Sequence, residues 1–99
     1  MGELSSAQRA YLKGLAHGVE PVVQVGRNGI SENLASEVSR ALFDHELIKV
    51  KFVDHKQAKG ELSEELAEKT GAVLVGRVGN VAILYLEHPD AERRRIRLP

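Results

Sequence analysis

Apolar residues recur at helical spacing in three stretches of the chain and cluster or alternate in four others, and that pattern divides it into elements. Within residues 5–17, Ala7, Tyr11, Leu12 and Leu15 form a stripe, and Ser5 with Gln8 three positions on fits a capping box, so a helix is expected. Gly18 and Pro21 end it. Residues 21–25 are a valine-rich apolar run too short for a helix and suited to a buried strand. Ser31 is a credible N-cap with Glu32 in the first turn, and Leu34, Val38, Ala41 and Leu42 predict a second helix to about His45. Residues 47–53 alternate, with Ile48, Val50 and Phe52 on one side and Leu47, Lys49, Lys51 and Val53 on the other. That strand has a core face and a face carrying two lysines.

Residues 54–60 read as a polar connector, and a third helix follows to about Thr70 on Leu62, Leu66 and Ala67, with Gly71 as its stop. Residues 72–77 and 81–86 predict strands, joined through Val78, Gly79 and Asn80 in a tight hairpin. Residues 87–99 read as an irregular or weakly ordered basic tail. The order α-β-α-β-α-β-β implies parallel crossovers and one antiparallel closing strand. The expected architecture is a two-layer α/β domain with a mixed four-stranded sheet, a single domain over residues 1–99 without repeats or linkers.

A length of 99 residues with 42% hydrophobic content suits one domain with a modest core. No run approaches the roughly 20 apolar residues of a membrane span, and the start of the chain lacks the layout of a secretory signal, so a soluble cytoplasmic protein is expected. The absence of cysteine removes disulfides, thiolate metal sites and cysteine nucleophiles. Bases and acids balance at 14 each, so any attraction to nucleic acid must come from how charge is distributed. Residues 31–46 carry Glu32, Glu37, Asp44 and Glu46 against Arg40, whereas residues 47–53 carry only Lys49 and Lys51. The tail gathers Arg93, Arg94, Arg95 and Arg97.

Gly26, Arg27, Asn28 and Gly29 join the first strand to the second helix, where backbone amides at a helix start carry partial positive charge and suit phosphate. The glycines permit close approach of a sugar-phosphate chain, Arg27 can fork onto phosphate oxygens, and Asn28 can bond a 2′-hydroxyl or a base edge. The run resembles the GxxG clamp of KH modules. Gly76, Arg77, Val78 and Gly79 match the same short pattern but lead into a hairpin, so that copy reads as strand chemistry. Lys49 and Lys51 would share a solvent-facing sheet surface beside the loop, and Arg9 with Lys13 on the first helix could extend it. The eight candidate RNA-binding residues are therefore Gly26, Arg27, Asn28, Gly29, Lys49, Lys51, Arg9 and Lys13. With only Tyr11, Phe43, Phe52 and Tyr85 as aromatics, backbone contacts should outweigh stacking.

Three blocks in order carry a wider resemblance: residues 12–17 (LKGLAH) followed by 21–29 (PVVQVGRNG), residues 45–51 (HELIKVK), and residues 68–72 (EKTGA) with 81–85. Together they are similar to the CRM domain, for chloroplast RNA splicing and ribosome maturation, over about residues 4–98, in its free-standing bacterial form. The resemblance implies a fold like the C-terminal domain of translation initiation factor three. It also implies RNA binding through the GxxG loop and association with precursors of the large ribosomal subunit, hence the ribosomal particle as partner. Family members often place Lys second in the loop, and Arg27 keeps the charge while changing contact geometry.

An enzyme fits the residues poorly. His17, His45, His55 and His88 lack metal-ligand spacing, the glutamates of the third helix space as a solvated face, and no Walker loop, nucleophile elbow or dinucleotide fingerprint occurs. No catalytic residue, metal, cofactor or small-molecule substrate is expected. A module docking ribosomal proteins through its acidic helices is the other binding class, and it is compatible with RNA contact.

Overall fold

Local signals start each of the first two helices. The Ser5 side chain accepts the Gln8 amide at 3.1 Å while the Gln8 side chain accepts the Ser5 amide at 3.0 Å, the reciprocal box that opens α1 (Ser6–Ala16). The Ser31 hydroxyl takes the Leu34 amide at 3.1 Å and opens α2 (Glu32–His45). In the computed structural model, which describes residues 3–99, these helices are joined by β1 (Pro21–Val25), β2 (Leu47–Phe52), α3 (Lys59–Thr70), β3 (Val73–Val78) and β4 (Val81–Tyr85). Gly71 holds φ +77 at the end of α3, and Gly79 holds φ +59 in the β3–β4 hairpin, two of the turns where positive φ is needed.

The sheet order is β1-β2-β4-β3, with β1 parallel to β2 and the other two pairings antiparallel. Ile48, Val50 and Phe52 of β2, with Val23, Val25, Ala82 and Leu84, meet Leu34, Val38, Leu42, Leu66 and Ala67 of α2 and α3. The element order and the mixed four-stranded sheet match the expectation. The layering is fuller than two, because α1 lies on the opposite face. There Leu12 and Ala16 cover Leu47, Val75, Ile83 and Tyr85, with Ile96 and Leu98 of the tail packed beside them. Of the expected α1 stripe only Leu12 is buried, while Ala7, Tyr11 and Leu15 stay exposed. A helix resting on a sheet needs a narrower apolar face than one enclosed in a bundle.

Residues 87–99 are irregular apart from one 3-10 turn at Ala91–Arg93, yet they are docked rather than loose. The anchor is Glu46, which ends α2 at φ +65 and is only 1% exposed. Its carboxylate accepts the amides of His88 at 2.8 Å, Arg95 at 2.7 Å and Ile96 at 3.1 Å. Burial pushes the Glu46 carboxyl upward, but the three backbone donors, helped by the His88 charge, outweigh it and hold the group below the usual carboxylate range. Hydrogen bonds to a charged acceptor are worth about 1.5–3 kcal/mol each, and three together offset a desolvation cost of several kcal/mol. Around this anchor the His88 ring packs on Phe43 at 4.4 Å, Arg93 lies 5.3 Å over the Phe43 ring, and Arg94 pairs with Glu87 at 3.3 Å.

The pH dependence has a definite sign. A carboxyl whose pKa is lower in the folded state contributes stability that is complete above the ordinary carboxylate range and is lost as pH falls through the folded value. Glu46→Gln should therefore lower unfolding free energy at pH 7 by about 1–3 kcal/mol, and the variant should lose less stability than the parent between pH 5 and pH 2. Urea titrations across that range check both, and parallel acid limbs in the two proteins would remove Glu46 as the anchor.

Candidate nucleic-acid interface

The parallel register places β1 and β2 so that Gln24 faces Lys51 and Val25 faces Phe52. The 26–29 loop therefore leaves β1 beside the end of β2 that carries Lys51. Adjacent strands lie about 4.8 Å apart and rise about 3.3 Å per residue, which puts the Gly26 backbone roughly 8 Å from that of Lys51. Arg27 and Asn28 are exposed at the tip, and the Gly29 amide donates to the Gly26 carbonyl at 3.1 Å to close the turn. A hollow of about 210 Å³ opens beside it, walled by the loop and by Asn33 and Glu37 of α2. The first amides of α2 have no intrahelical acceptor, and Ser31 occupies only that of Leu34.

The two glycines differ in why they fit. Gly29 holds φ +63, which an L side chain adopts at a cost. Gly26 has no such constraint, and a Cβ built there would meet nothing within 4 Å. The fold itself leaves open space at Gly26, as a backbone meant to touch another molecule requires.

One side chain unforeseen from the sequence fixes the loop. His55, itself at φ +55, places Nε2 2.7 Å from the Arg27 carbonyl and its ring 3.8 Å from the position of a Cβ on Gly29. Because a carbonyl only accepts, Nε2 carries the proton in this bond. The separation of 28 positions between the partners explains why spacing gave no sign of it. Two further bases gather at this end of the sheet. Lys59 Nζ donates to Asn80 Oδ1 at 3.0 Å, and the Arg77 guanidinium passes 3.4 Å from where Gly60 would carry a Cβ. Gly60 in the first turn of a helix was the available signal, since glycine there costs helix stability unless something passes close by.

The other candidates divide. Lys49 is half-buried and Lys51 exposed on the α1 side of the sheet, directly opposite Ile83 and Val81 of β4. Lys13 reaches the same side and shares a cavity with Lys49. Arg9 is committed elsewhere: its Nη1 donates to the carbonyls of Leu74 at 2.8 Å and Val75 at 2.6 Å, where β3 breaks register with β4. The guanidinium satisfies acceptors that the bulge frees, a structural employment that sequence spacing does not reveal. The tail arginines follow Glu46, which precedes β2, so they sit at the end of the sheet away from the 26–29 loop. Among the described residues the ion pairs are Lys69 with Glu65 and Arg94 with Glu87, so Arg27, Lys13, Lys49 and Lys51 face no carboxylate at pairing distance. No group of three potential metal ligands occurs among the described residues.

The family model for the CRS1 / YhbY (CRM) domain matches residues 4–85. A Haemophilus influenzae chain named "RNA-binding protein" is 38% identical over 100 residues, spanning 100% of this chain and 98% of its own. A Bacillus subtilis chain named as a probable RNA-binding protein is 33% identical, covering 97% of this chain and 99% of its own. The solution structure of a hypothetical protein from Staphylococcus aureus superposes with a TM-score of 0.80 at 36% identity, covering 98% of this chain and 100% of that one.

The loop anchor can be checked without any ligand. His55→Asn tolerates positive φ but is too short to reach Arg27, so amide exchange at Asn28 and Gly29 should accelerate about fivefold, the worth of one ordinary hydrogen bond. Protection in β2 and β4 should stay as in the parent. Unchanged exchange in the loop would show that His55 does not hold it.

Proposed function

The chain belongs to the CRS1 / YhbY (CRM) domain family, and from that premise we propose that it binds structured RNA, using the 26–29 loop and the lysines of β2 on the sugar-phosphate backbone. The observation that carries this reading is the set of unpaired cations that continues from an open glycine loop onto one sheet face. Arg27 stands at the tip, Lys51 lies opposite Gln24, and Lys49 is two residues further along. Each meets phosphate without first having to leave a carboxylate partner. Net neutrality makes the contact local: acids on α2 and α3 keep those faces away from RNA, while the cationic end docks. Arg27 suits a bidentate grip on one phosphate, whereas the lysines act as point charges that tolerate variation in backbone path.

The RNA in this reading is precursor RNA of the large ribosomal subunit, and the work is assistance in its assembly in the cytoplasm. That assignment draws on the family's association with such precursors. In this reading the protein acts as a binder and not as an enzyme, in keeping with relatives that are named for RNA binding.

Lys49→Gln with Lys51→Gln keeps two polar side chains and removes both charges. Affinity for protein-free large-subunit RNA should fall at least tenfold, and the slope of log affinity against log salt should flatten by about 2. An unchanged slope would place the phosphate contacts elsewhere, and an affinity indifferent to salt would favour docking on ribosomal protein. Crosslinking in cells tests the target: the attached RNA should be dominated by precursor large-subunit sequence, and messenger or transfer RNA in its place would remove the ribosomal assignment.

A further inference from the structure

The second GxxG run, which the loop reading leaves unused, has its own place in the fold. At Gly76 a Cβ would sit 2.7 Å from Cε of Lys13, so the missing side chain is what lets the lysine stem lie across β3. Lys13 thereby lays its stem along the sheet while remaining exposed. Val78, two residues on, is 65% exposed although it belongs to a strand. Between α1, the return of the chain into β1 and the strands beneath lies a cavity of about 350 Å³. Its apolar part includes Val78, Val81 and Ile83 beside Val19 and Pro21, and its polar edge is made by Lys13, His17, Lys49 and Glu20.

We propose that this cavity is a subsite for one unpaired nucleotide of the bound RNA, its base flat on the valine and isoleucine floor and its flanking phosphates on Lys13 and Lys49. The inference rests on the RNA-binding reading and deepens it. The chemistry of the lining matches that of a nucleotide part by part. An apolar π-face needs a dry surface of its own width, and the anionic groups on either side need cations at the edge. Neither Lys13 nor Lys49 has a carboxylate at ion-pair distance. Glu20 repels phosphate and accepts hydrogen bonds, so it faces the N–H groups of the base.

The place is also right. Lys49 lies opposite Ile83 and Lys51 opposite Val81, so the apolar floor of the cavity and the cationic path to the 26–29 loop lie side by side on paired strands. A strand of RNA held at the loop passes Lys51 and then reaches the cavity. Stacked bases in a duplex cannot enter, so the subsite selects loops, bulges and single strands. Aliphatic side chains take the part that aromatics play in other RNA modules, which accounts for a base site in a protein with so few rings.

The test uses the full chain with labelled methyl groups and three probes: a twelve-nucleotide single-stranded RNA of mixed sequence, the same strand made abasic throughout, and a duplex of equal length. The unmodified strand should shift the methyl signals of Val78, Val81 and Ile83, and should bind roughly tenfold more tightly than the abasic strand. Neither the abasic strand nor the duplex should move those signals. Val78→Ser, a change at an exposed position, should shrink the preference for the unmodified over the abasic strand. Equal affinity for the two strands with silent methyls would overturn the subsite and leave RNA binding standing. Failure of all three RNAs to bind would overturn both readings. Methyl shifts that appear with protein concentration alone would assign the cavity to a second copy of the chain.

Discussion

Strand β2 is hydrogen-bonded on both sides, by β1 and by β4, so its side chains have only the two sheet faces to occupy. One face is apolar throughout and takes α2 and α3. The other is divided along its length. Leu47 is covered by α1 and the tail, while Lys49 and Lys51 emerge where that cover stops. The α1 helix has to be short for this to happen, and Gly18 with Pro21 turns the chain back into β1 before it can extend over the lysines. A stability element and a binding surface are thus two halves of one strand face, and the boundary between them is set by where one helix ends.

The periodicities were enough to find every helix and strand to within a residue or two, because each element buries a face whose repeat matches its own geometry. They could not say which side of the sheet α1 covers, since an apolar stripe states that a helix is buried and not against what. The tail is irregular as expected, but its docking went unseen for a related reason. Ile96 and Leu98 are separated by Arg97 in a run dominated by charge, and they read as solvated, yet the buried Glu46 42 to 50 residues earlier supplies the acceptor that makes docking favourable. Long-range pairing of that kind leaves no local trace.

The candidate site divides along the same line. That the 26–29 loop lies between β1 and α2 follows from local order alone, as does the common face of Lys49 and Lys51. What the sequence hid were the partners: Arg9 bonded to the β3 bulge, Lys13 draped over Gly76, and His55 bonded to the Arg27 carbonyl. A basic residue reads the same in sequence whether it reaches solvent or a backbone carbonyl. Gly60 and Gly76, each inside a regular element, mark the passage of a long cationic side chain, whereas Gly14 within α1 faces open space.

The Glu46 anchor also orders events in the life of the chain. The apolar cluster beneath α1 is assembled from residues near both ends of the sequence, Leu12 and Ala16 with Ile96 and Leu98, so it joins positions about 80 residues apart or more. Contacts between distant positions close the longest loops, so they form after α2, α3 and the strands have collapsed on their shared face. Until the 88–96 segment docks, the Glu46 carboxylate lacks the three amides that compensate its burial. Completion of the α1 face, and with it the wall of the cationic surface, is therefore a late step of folding.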